Sequence, residues 1–167
     1  MSKIALRVAG ASLAAAFSCG LAASANAQVL VHKDLSLAMA TTIALTAVEN
    51  CKAAGYNVSV HVMGRNGEVL VALRNEKAGP NTFENSMKKA YTARTFRTPS
   101  GKFAENVGQN PVAGALMLAN VVAARGALPI MIGEETIGGV GVSGAPGGDK
   151  DEVCAQAGID KVKDQLK

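Results

Sequence analysis

Two histidines, a run of cations and a pair of cysteines are the residues of this chain with the types needed for chemistry. His32 and His61 could each hold a metal ion through a neutral imidazole. The alternative for His61 is a structural strand histidine, and for His32 a disordered segment near the N-terminus. Lys88, Lys89, Arg94 and Arg97 recur through one stretch. They read either as a solvated helix face or as a site for carboxylates. There is no C-x-x-C, H-E-x-x-H or C-x-x-C-H pattern, so no metal cluster stands out. No spacing supports a hydrolase triad around either histidine. Gly139-Val140-Gly141-Val142-Ser143-Gly144 fits G-x-G-x-x-G. A dinucleotide fold needs a second parallel strand after the following helix, and the sequence ends before one could form. Glycines that let another backbone approach a strand are the better reading.

These residues need a scaffold, and the N-terminus says where it works. Lys3 and Arg7 precede an almost unbroken apolar run from Val8 to Ala23. Ala25-Asn26-Ala27 follows as a small-residue cleavage site. Residues 1–27 therefore read as a secretory signal peptide, and the run is short for a membrane span. Residues 28–167 would be the exported part, periplasmic or secreted, with no membrane span after cleavage. About 140 residues make a single domain with a real core. Of the formal charge of +4, Lys3 and Arg7 supply half, which leaves little to attract nucleic acid. Trp is absent and aromatics are few, so base-stacking platforms are scarce as well.

Cys19 lies in the signal, which leaves Cys51 and Cys154 as an even pair in an oxidising compartment. They are either a disulfide closing a loop of about 100 residues or two separate thiols.

Asp34 can cap a helix running to about Ala54, with Gly55 beyond its end. Asn57 to Met63 alternates, and Val69 to Arg74 follows Asn66-Gly67, a type I′ hairpin signal. The register then pairs Val62 with Val71, His61 with Ala72 and Val60 with Leu73. Val60, Val62, Val69, Val71 and Leu73 form the core face. Ser59, His61, Met63, Leu70, Ala72 and Arg74 form a mixed face. A second helix starts at Asn81 or Thr82 and runs to Phe96. Ser100 to Asn110 reads as a short helix and loop, and Pro111 to Asn120 as another helix. Val121 to Ala124 ends that helix or forms a strand. Leu128–Ile132 and Thr136–Ser143 make a second hairpin, followed by a terminal helix from about Asp149. Hairpins set between helices give an α+β domain with a largely antiparallel sheet.

Several blocks together resemble the GlcG/HbpS haem-binding family across nearly all of residues 28–167. They are the Ala-rich first helix, Val60-His61-Val62-Met63-Gly64-Arg65-Asn66-Gly67 and Lys89-Ala90-Tyr91-Thr92-Ala93-Arg94-Thr95-Phe96. The most specific are Gly126-Ala127-Leu128-Pro129-Ile130, Ile137 to Ala145, and Asp151-Glu152-Val153-Cys154-Ala155. Gly64 stands where the family usually carries Asp. The C-terminal domain of PduO-type corrinoid adenosyltransferases is a relative. The resemblance implies a profilin-like fold, an antiparallel sheet of about five strands with helices on both faces. It implies homo-oligomers from dimer to octamer, and it brings the first and last helices together, which favours a Cys51–Cys154 bond.

Three functions follow as expectations. The first is an exported haem- or tetrapyrrole-binding protein in haem storage, protection or sensing, with a sensor protein as partner. His61 or His32 would ligate iron. Arg74, Lys89 or Arg94 would meet the propionates, with Met63, Leu70 and Tyr91 packing on the ring. The second is an enzyme for a small carboxylate held by Lys89 and Arg74, with Lys89 as base. The third is an oligomeric scaffold without a small ligand. A binding role ranks above an enzymatic one, since no acid–base pair is evident.

Overall fold

The alternation of Val58, Val60 and Val62 becomes an inner strand of one sheet. The computed structural model describes residues 28–110 and 114–167. The chain divides between Val31 and His32, and the fold below is that of His32–Lys167. The expected signal peptide lies outside the described residues, as do Pro111–Ala113 of the helix expected over Pro111–Asn120.

Among the described residues the strands are β1 (Ser59–Met63), β2 (Val69–Arg74), β3 (Ala127–Ile132) and β4 (Glu135–Ser143). They form one antiparallel sheet in the order β2-β1-β4-β3. Four strands stand where about five were expected. Val121–Ala124 supplies no fifth, because its backbone is satisfied otherwise. The Val122 N–H donates to Thr92 Oγ1 at 3.0 Å, and Val121 packs with Phe103 and Val107. Gly114–Met117 is a turn of 3-10 helix rather than part of a longer helix.

Helix α1 (Leu37–Ala53) is capped by Ser36, whose Oγ accepts the Met39 N–H at 3.2 Å. Asp34 is not the cap, because it pairs with Arg65. Helix α2 (Pro80–Phe96) begins with proline at its first position and ends at Arg97 in the left-handed region. Helices α3 (Ser100–Gln109) and α4 (Gly148–Val162) complete the set. No helix among the described residues is long and apolar enough to cross a membrane.

The helices lie on both faces of the sheet. On one face α1 lays Ala40, Ile43, Ala44 and Ala47 on Val60, Val62, Val140 and Val142. Helix α4 adds Ala155 and Val162 to the same cluster. Cys51 of α1 is bonded to Cys154 of α4, with Cα atoms 5.5 Å apart.

The first hairpin keeps the expected inner register, Val60↔Leu73, His61↔Ala72 and Val62↔Val71. Its turn differs. Only Gly67 has positive φ, at 80°, while Asn66 does not. The Gly67 N–H reaches the Gly64 carbonyl at 3.2 Å, and the Gly64 N–H reaches the Glu68 carbonyl at 2.9 Å. This is the three-residue loop with a left-handed glycine, which shifts pairing by one residue. An irregularity between Val62 and Met63 restores it, so Met63 faces Val69. The consequence is local. Leu70 joins the α1 side and Val69 is exposed, the reverse of simple alternation.

Candidate functional site

Helix α2 runs along the second face of the sheet, and matched spacings hold it there. Thr82 and Ser86 are four residues apart on the helix, a rise of about 6 Å. Ser59 and His61 are two apart on β1, a rise of about 6.6 Å. The two pairs therefore meet: Ser59 Oγ lies 2.8 Å from Thr82 Oγ1, and His61 Nδ1 lies 2.8 Å from Ser86 Oγ. The same steps along α2 set Ala90 and Arg94 over the glycines of β4. A Cβ on Gly139 would stand 2.7 Å from the Ala90 carbonyl, and one on Gly141 would strike the Ser86 carbonyl. The G-x-G segment is thus a bed for a helix backbone, as its sequence context suggested.

This packing delivers Arg94 to the end of the sheet beside the first hairpin turn. There Arg65, Asn66, Gly67, Tyr91, Arg94 and Thr95 line a cleft of about 330 Å³. The Tyr91 ring lies against Gly67, where a Cβ would come within 2.9 Å of it. Arg65 is neutralised by Asp34 at 2.8 Å and Glu135 at 2.7 Å, and it also donates to the Lys33 carbonyl. It thereby fastens the segment that follows His32 to the turn of the second hairpin.

Arg94 has no such support. Its Nε is buried with no hydrogen-bond partner among the described residues. Burial lowers its pKa, the nearby charges of Arg97 and then Arg65 lower it further, and Glu68 offsets them only in part. A guanidinium stays charged regardless. The lowered value therefore marks an under-compensated cation, a group that would gain from an anion supplied by a ligand.

The residues singled out from sequence are not brought together. His61 is 2% exposed, with Phe83 edge-on at 4.5 Å, and burial lowers its pKa from 6.5 to about 4. It is a neutral imidazole locked under α2. His32 is exposed on the segment that Arg65 fastens. Arg74 is on the outer strand and donates to the Ala78 carbonyl at 2.6 Å, closing the loop into α2. Lys89 is 4% exposed and pairs with Asp151 at 2.9 Å. Met63 is buried, and Leu70 packs on the α1 side. Of the expected ring-packing and cationic set, Tyr91 and Arg94 alone share the cleft.

The hairpin register read from sequence places Arg65 opposite Glu68, whereas Arg65 pairs with Asp34 and Glu135; nothing in the sequence signals the Lys89–Asp151 pair. A signal existed for α2: Thr82, Ser86 and Ala90 form a small-residue stripe at four-residue spacing that ends on Arg94. No group of three or more His, Cys, Asp or Glu that could hold a metal occurs among the described residues.

The family model described as "Haem degrading protein HbpS-like" matches residues 35–160. The solved structure of HbpS is 35% identical, covers 81% of this chain and 94% of its own, and superposes with a TM-score of 0.77. A double glutamate-to-aspartate variant of Streptomyces reticuli HbpS is 32% identical over 93% of this chain and 99% of its own, also with a TM-score of 0.77. A PduOC:heme complex is 26% identical, covers 75% of this chain and 93% of its own, and has a TM-score of 0.69. No curated protein sequence matches.

Proposed function

Because this chain belongs to the HbpS-like family of haem degrading proteins, we propose that it is an exported haem-binding protein whose Arg94 cleft receives the haem propionates. The observation that carries this reading is the buried Arg94 Nε, without a partner among the described residues, in the cleft that Tyr91 also lines. Haem would supply an iron, an aromatic macrocycle and two carboxylates. Arg94 would pair with a propionate, with Arg97 adding to the local positive field. Tyr91 would pack on the macrocycle edge. Arg65 is already satisfied and acts as the fastener of the adjoining segment.

His32 is the imidazole assigned to iron. It is exposed and one residue from Lys33, whose carbonyl Arg65 holds. His61 keeps its structural place between β1 and α2. Its burial and its bond to Ser86 favour that division. Arg74 and Lys89 are engaged elsewhere, so they are left out of the haem site. The signal-like residues 1–27 support export to the periplasm or beyond. Homo-oligomers from dimer to octamer, and a sensor protein as partner in haem storage, protection or sensing, belong to the same proposal.

The test is an anaerobic hemin titration of protein lacking residues 1–27, followed by absorbance and size exclusion. A saturable Soret shift carried by one oligomer is expected. Arg94→Gln should weaken binding at least about tenfold, roughly 1.4 kcal/mol. His32→Ala should move the Soret maximum, while His61→Gln should leave it in place. Weak, non-saturating shifts in the wild type would overturn the haem reading. Loss of the band once reductant and oxygen are admitted would add degradation to binding.

A further inference from the structure

The other half of α2 opens on a separate cleft of about 560 Å³. Lys89 and Asp151 lie in its wall, with Asn81, Asn85, Arg125 and Ser143 around them. Lys89 Nζ donates to Asp151 Oδ2 at 2.9 Å and to the Val142 carbonyl at 3.1 Å. An ammonium has three N–H bonds, so one is not accounted for by these partners. The nitrogen also lies beside a backbone without a side chain: a Cβ on Gly126 would come within 2.6 Å of it. Asp151 Oδ1 takes the Ala145 N–H at 3.0 Å, which holds the carboxyl still against the amine.

A buried ion pair that only fastened α2 to α4 would do no better than apolar packing of the same volume. This one lines a cleft whose size suits a small molecule. It also combines an amine with an acid at hydrogen-bond distance, the two groups that carbonyl capture requires.

We propose that Lys89 captures small aldehydes or ketones as an imine, with Asp151 as its proton partner. The Lys89 ammonium first passes a proton to Asp151. The freed nitrogen lone pair attacks the carbonyl carbon, and the C=O π pair moves to oxygen. That oxygen takes a proton from the new C–N–H group, giving a carbinolamine. Asp151 returns its proton to the hydroxyl, which leaves as water while the C=N bond forms. One water is released, nothing is oxidised or reduced, and the iminium keeps the positive charge of the ammonium beside the Asp151 carboxylate. Burial raises the Asp151 carboxyl above the usual range, against the pull of the Lys89 ammonium and the Ala145 N–H. That direction brings the neutral amine–acid pair closer in energy to the ion pair, as the first proton transfer needs.

The proposal stands apart from the Arg94 cleft, so hemin titration and carbonyl capture fail or succeed separately. The probes are propanal and pyruvate, each trapped with sodium borohydride on wild-type protein and mapped by peptide mass. The internal control is Lys102, whose side chain is 60% exposed and pairs only with Glu105 among the described residues. Reduced adduct on Lys89 should form at least about tenfold faster than on Lys102, reversing the order that exposure alone would give. Asp151→Asn should slow Lys89 capture by about tenfold or more while leaving Lys102 unchanged. Adduct on Lys102 but not Lys89, or equal rates at both, would overturn the proposal. The decisive comparison lies within the wild-type protein, so it does not depend on a variant folding.

Discussion

The two faces of the sheet are built on opposite principles. Against α1 and α4 the sheet packs a cluster of Ala, Ile, Leu and Val side chains with the disulfide. Against α2, beside the small apolar contacts of Ala90 and Ala93, polar side chains are mated one to one: Ser59 with Thr82, His61 with Ser86, Asn85 with Ser143. The first face needs only size and apolarity, and tolerates error in detail. The second needs each partner, because a buried polar group left alone costs about 1–3 kcal/mol. Both clefts lie along the second face. At one end of α2 a buried cation is matched by Asp151; at the other, Arg94 Nε has no match among the described residues. Polar groups that could meet a ligand are thus gathered where they do not disturb the apolar core.

Breaking the Lys89–Asp151 match should carry the largest single cost on the polar face. Lys89→Met leaves the Asp151 carboxyl buried without its cation, and should cost about 3–5 kcal/mol in urea unfolding. Lys89→Met with Asp151→Leu should recover most of that. If the double variant is as weak as the single, the one-to-one account of this face is wrong.

The disulfide is the test on the other face. It joins residues 103 apart, and replacing Cys51 and Cys154 together with serine should cost about 2–5 kcal/mol. The two thiols should also resist alkylation in the untreated protein and become available after reduction under denaturing conditions.

His61 gives a comparison by pH. Folded His61 takes a proton only near pH 4, whereas the unfolded residue does so near 6.5. Above pH 6.5 both are neutral and its contribution is complete. As pH falls from 6.5 to 4 the unfolded chain gains a proton that the folded chain refuses. Stability should fall by up to about 3 kcal/mol across that window, then level off. Urea midpoints at several pH values should show this slope, and His61→Gln should flatten it. A slope that survived the substitution would have to come from other groups.

Much of the fold was legible because it depends on near neighbours. Alternation in Val58 to Met63 and in β2 set the inner hairpin pairs, and the Gly55 and Pro99 stops placed the ends of α1 and α2. The glycines of β4 were read as a place of close approach, and α2 occupies it. The turn type escaped, because Asn66-Gly67 suits two loop lengths and the choice depends on the Gly64–Glu68 bond across the strands. Asp34 looked like a cap for the same kind of reason. Its rival partner, Arg65, is 31 residues away.

The candidate site was less legible. Lys89 and Arg94 belong to one basic run and look alike in sequence. Their difference comes from Asp151, 62 residues from Lys89, and from the absence of any such partner at Arg94 Nε among the described residues. The sequence by itself determined α1, α2 and α4, the two hairpins and most of their apolar faces, since these follow from periods of two and of three to four residues. The tertiary structure decided which histidine is buried, which cation is neutralised and which keeps a buried N–H without a partner among the described residues. Burial and pairing are set by residues distant in the chain, and the cost of a charge depends on what surrounds it rather than on what precedes it.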